Sequence, residues 1–66
     1  MKQSQLEVLA AEVHSRLCEL HRLAIQYNRL LGNTRESRIH RIALYFSERA
    51  LQHHKERIAS LLRVNL

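Results

Sequence analysis

Proline and tryptophan are absent from this 66-residue chain, glycine and cysteine occur once each, and only 5% of the residues are aromatic. Without that punctuation, and without runs of aromatic and β-branched residues, strands and hairpins have little to build on, which excludes most β and α/β architectures. A single cysteine excludes an intrachain disulfide. Apolar runs are short, Val8-Leu9-Ala10-Ala11 being typical, whereas a membrane-spanning helix needs ~18 such residues. Met1 to Glu7 hold one cation and no apolar stretch, so no secretory signal is expected, and the reading is a cytoplasmic protein with Cys18 reduced.

What is present is a globular balance, 45% hydrophobic and 26% charged, outside the region of disordered chains. The chain should therefore fold, and as helix. A core built from so few residues rarely supplies more than about 3–5 kcal/mol. The expected remedy is association, either with a second copy or with a larger partner.

One break divides the chain. Ser4-Gln5-Leu6-Glu7 has the spacing of a capping box, which predicts a helix from about residue 5. Leu31-Gly32-Asn33 ends it, because glycine takes the left-handed conformation that closes a helix. Asn33-Thr34-Arg35-Glu36 then provides a second cap, with Thr34 as an alternative, and predicts a helix over 34–64. A turn at 32–33 forces an antiparallel hairpin. The predicted fold is all-α: residues 1–66 form one domain of two long helices, dimerising into a four-helix bundle.

The apolar spacing supplies the faces. Leu6, Ala10, Val13, Leu17, Leu20, Ala24, Tyr27 and Leu31 follow a heptad, with Leu9, Leu23 and Leu30 widening it, and this line is predicted to be the seam of the first helix. In the second helix Ile39, Ala43, Phe46 and Ala50 form one line, and Leu44, Leu51, Ile58 and Leu62 form another. Val8, Ala11, Ser15, Cys18 and Ile25 make a second, weaker stripe on helix 1, expected to lie away from the seam as a protein–protein interface. The residues expected to bind a partner are Leu17, Leu20, Val8, Cys18, Ile25, Phe46 and Leu51.

Chemistry-bearing groups are few. His14, Cys18 and His21 share one helix face, and an antiparallel turn brings His14 level with His53 and His54, so His14, Cys18, His21 and His54 are the candidate metal ligands. The competing reading makes the histidines half-buried packing residues and Cys18 a small hydrophobe; it is preferred, and no metal or other cofactor is expected. Every carboxylate is a glutamate at helix-surface spacing, and two rods offer no cleft or phosphate loop, so no catalytic residues are assigned and the protein is not expected to be an enzyme.

The charge is more informative. Eleven Lys and Arg against six acidic residues give a net charge of +5. Arg29, Arg35, Arg38 and Arg41 cluster at the hairpin tip beside Glu36, and Arg49 continues the patch. Arginine's planar fork suits phosphate or carboxylate.

A short two-helix hairpin with small residues on its seam resembles three families in length and architecture. These are the RNA-binding hairpins that control plasmid copy number, the helical co-chaperones of type III secretion needle subunits, and small phage anti-activators. The expected function is a small non-enzymatic regulatory or adaptor protein of inhibitor, anti-activator or co-chaperone type that binds itself and another protein by helix packing. The alternative is a basic dimeric RNA- or DNA-binding regulator.

Overall fold

The structure, a computed structural model, describes residues 2–64. It contains two helices, α1 (Gln3–Leu31) and α2 (Thr34–Val64), packed against each other as an antiparallel hairpin. The molecule is a rod of 51 × 17 × 13 Å. No described helix is long and apolar enough to cross a membrane.

The turn is built as its residues dictate. Gly32 sits at φ 78°, ψ 14°, its N–H donates to the Arg29 carbonyl at 3.1 Å, and the Asn33 N–H donates to the Asn28 carbonyl at 2.8 Å. These two bonds form a Schellman closure and satisfy carbonyls that the end of α1 would otherwise leave bare. The Asn33 side-chain oxygen then accepts from the Glu36 N–H at 3.2 Å and starts α2. The other end departs from expectation. α1 begins at Gln3, and the backbone N–H of Lys2 donates to the Gln5 side chain at 3.2 Å. The Ser4–Glu7 capping box does not form, because Glu7 faces α2 instead.

The helices also meet along a different line from the one the apolar pattern favours. On α1 the buried and half-buried residues Ser4, Glu7, Ala11, His14, Cys18, His21, Ile25 and Asn28 form one line, with Ala10, Ser15, Leu17 and Ala24 half-buried beside it; on α2 the line runs through Ser37, His40, Leu44, Ser47, Leu51, His54, Ile58 and Leu61. Both lines keep a 3-4 spacing, so each is a heptad seam. Of the predicted α1 seam, Leu6, Val13, Leu20, Tyr27 and Leu31 are exposed instead. Conversely Cys18 (2% exposed) and Ile25 (8%), expected to face outward, are the buried apolar side chains. Serine, alanine and cysteine on the α1 side let the helices approach, and Leu44, Leu51, Ile58 and Leu61 fill the seam from α2.

Candidate functional site

The closed seam is polar. His54 donates from Nδ1 to Glu7 Oε2 at 2.6 Å, while Arg57 Nε and Gln3 Nε2 donate to Glu7 Oε1 at 3.1 and 3.0 Å. The hydrogen bond from His54 is the main reason the Glu7 carboxyl is held below the ordinary glutamate value. Arg57 and Gln3 lower it further, and together these outweigh the desolvation that raises it. His14 stacks on His54, with ring centroids 5.3 Å apart. His21 and His40 meet Nδ1 to Nδ1 at 3.0 Å, so one ring donates and the other accepts. Asn28 Nδ2 donates back to the Ala24 carbonyl at 2.8 Å. His14 Nδ1 and Ser37 Oγ are buried without a hydrogen-bond partner among the described residues. This is a packing seam with specific polar pairings.

The two sides of the hairpin differ from each other. Arg22 Nη2 bonds Glu48 Oε1 at 3.4 Å across the helices and marks one side. In an antiparallel pair, residues that follow the seam on both helices lie on that same side, and residues that precede it lie on the other. On the side opposite the Arg22–Glu48 bridge, α1 contributes Leu6, Val13, Leu17, Leu20, Tyr27 and Leu31, and α2 contributes Ile39 and Phe46. Leu17 is half-buried and the others are exposed. Ala10, Ala24, Ala43 and Ala50, all half-buried, lie between them and keep the surface shallow. The result is a continuous apolar face along α1 that is joined by the turn-proximal half of α2. A separate open groove of about 610 Å³ lies at the far end, lined by Ser4, Gln5, Val8, Leu9, Ile58 and Leu62.

Of the residues expected to bind a partner, Leu20 and Phe46 are exposed on the apolar face, Leu17 is half-buried there, and Val8 lines the end groove. Cys18, Ile25 and Leu51 are corrected: all three pack in the seam between α1 and α2, which removes them from an outer surface. The candidate ligands His14, Cys18, His21 and His54 also fall on that seam. Among the described residues no three His, Cys, Asp or Glu side chains converge on a metal position. Arg29, Arg35, Arg38, Arg41 and Arg49 are all exposed. Arg49 donates to the Tyr45 hydroxyl at 2.9 Å and lies 5.7 Å from that ring's centre, and the bond raises its already high pKa.

The Glu7–His54–Arg57 cluster is the part of the site that the sequence pattern conceals. Its signal is the seven-residue spacing of Glu7, His14, His21 and Asn28, a heptad of polar residues that a search for apolar periodicity passes over. No protein-family model matches this chain, and neither a curated protein nor a solved structure matches it.

Proposed function

We propose that this protein is a non-enzymatic regulatory or adaptor protein that works by helix packing, and that its apolar face takes a second copy of the chain to form a four-helix bundle. The exposed apolar face carries this reading. Large leucines and aromatics on one contiguous surface are uncommon in a protein that stands alone, and such surfaces are sites of association.

The area agrees. The hairpin exposes 5363 Å², while a compact monomer of 7.8 kDa would expose roughly 4,400 Å². The excess of roughly 1,000 Å² is close to the ~800 Å² that each partner loses in a standard interface. Small residues between the leucines permit close helix approach, and a two-fold arrangement lets each face serve both copies. Once paired, the bundle presents the remaining surface to other proteins.

Sedimentation equilibrium over a wide concentration range tests the reading. The expected result is a mass twice the 7.8 kDa of one chain. A well-folded monomer at every concentration would sink it.

A further inference from the structure

The side marked by the Arg22–Glu48 bridge changes character as it nears the turn. Because Arg22 pairs with Glu48 across the helices, a step of one heptad along both chains brings Arg29 level with Arg41. The register that holds an ion pair at one rung thus places two arginines at the next, where like charges repel unless an anion lies between them. Arg38 stands one turn before Arg41 on the same shoulder, and Tyr45 one turn after it, and all four residues are exposed. Among the described residues, the ion-paired arginines are Arg16, Arg22 and Arg57; Arg29, Arg38 and Arg41 bond no carboxylate. The carboxylates elsewhere on this side, Glu12, Glu19 and Glu48, are taken by Arg16 and Arg22.

We infer that this shoulder, centred on the Arg29–Arg41 rung with Arg38 and Tyr45, binds the phosphate backbone of a nucleic acid. An acidic protein surface would need apolar anchors at the centre of its contact, whereas the centre of the shoulder is the Arg29–Arg41 rung and its exposed apolar residues, Leu30 and Ile42, lie at the edge. A phosphodiester chain needs what is present: forked cations that grip phosphate oxygens, and beside them an exposed aromatic ring, Tyr45, over which Arg49 already lies at 5.7 Å. The arginines of the shoulder lie on the side away from the apolar face, Tyr45 touches Phe46 of that face edge-on with ring centroids 5.4 Å apart, and all of them belong to one hairpin. The shoulder therefore does not rest on the pairing of two copies.

Fluorescence anisotropy of the full chain with labelled single-stranded RNA, single-stranded DNA and duplex DNA, measured across a salt series, tests this. At least one of these probes should bind, with affinity falling as salt rises. Arg29→Gln/Arg41→Gln should weaken binding at least about tenfold and reduce the log–log salt slope by roughly 1.4–1.8, the release expected from two phosphate contacts. Lys55→Gln/Arg63→Gln removes the same charge from the far half of α2 and should change affinity less than about threefold. Circular dichroism of both variants confirms that the exposed substitutions leave the helices intact, and sedimentation reports separately on pairing. The inference is overturned if none of the three probes binds or if the two double variants lose affinity equally. It is also overturned if polyglutamate displaces the probe as well as unlabelled nucleic acid does at equal charge.

Discussion

The seam that the hairpin closes and the face that it leaves open run side by side along the same helices, roughly 100° apart around α1. The closed seam holds Glu7, four histidines, Asn28 and small residues, with Cys18 and Ile25 as its buried apolar side chains and Leu44, Leu51, Ile58 and Leu61 half-buried from α2. The open face holds leucines, Tyr27 and Phe46. Polar pairs across a seam add little net stability, yet they penalise any arrangement that breaks them. Apolar area stabilises whatever covers it, without regard to direction. The closed seam therefore sets how the two helices meet, and the open face is apolar area that the hairpin itself leaves uncovered.

That contrast can be broken most severely on the open face. Leu20→Asp/Phe46→Asp should leave the seam between the helices untouched, at the loss of the edge contact of Phe46 with Tyr45, but abolish pairing. Two large side chains on each of two copies are worth roughly 6 kcal/mol, about four orders of magnitude in dissociation constant, to be read by sedimentation. The closed seam responds to a smaller deletion: Ile25→Ala should cost about 2–4 kcal/mol in urea unfolding, whereas Leu30→Ala, at a residue 90% exposed, should stay within about 0.5 kcal/mol.

A still smaller effect separates pairing from polarity. His21→Leu alone strands the partner nitrogen of His40 and should cost about 1–2 kcal/mol, while His21→Leu/His40→Leu should return to within about 0.5 kcal/mol of the parent or exceed it. A double variant less stable than the single would show that the histidines do more than satisfy each other.

The last effect is confined to acid. The Glu7 carboxyl titrates below its ordinary value of 4.5 in the folded chain, so the unfolded chain binds more protons there. The stability it contributes is present above the unfolded value and is lost as pH falls through the folded one. Urea midpoints should accordingly fall below about pH 4.5, and Glu7→Gln should flatten that decline. An equal decline in the variant would remove Glu7 as its source.

The elements were legible because their signals are local. Gly32 closes α1 and Asn33 caps α2 through bonds within a few residues, and the expected turn at 32–33 is the observed one. The start of α1 was read two residues late, since a Ser-x-x-Glu spacing looks the same whether the glutamate turns back to its own helix or crosses to His54 and Arg57. The level of His14 with His54 followed from the position of the turn, and the rings do stack.

By itself the sequence determined two long helices, the place of their turn, the presence of an apolar stripe at heptad spacing and an arginine cluster beside the turn. Only the tertiary structure decided which stripe the hairpin uses. Periodicity fixes which residues share a face of one helix, and α1 has two faces at heptad spacing. Choosing between them depends on cross-helix partners 47 residues apart, such as Glu7 with His54, and on small side chains that let the backbones approach. Both are properties of the pair of helices, and neither is written in either helix alone.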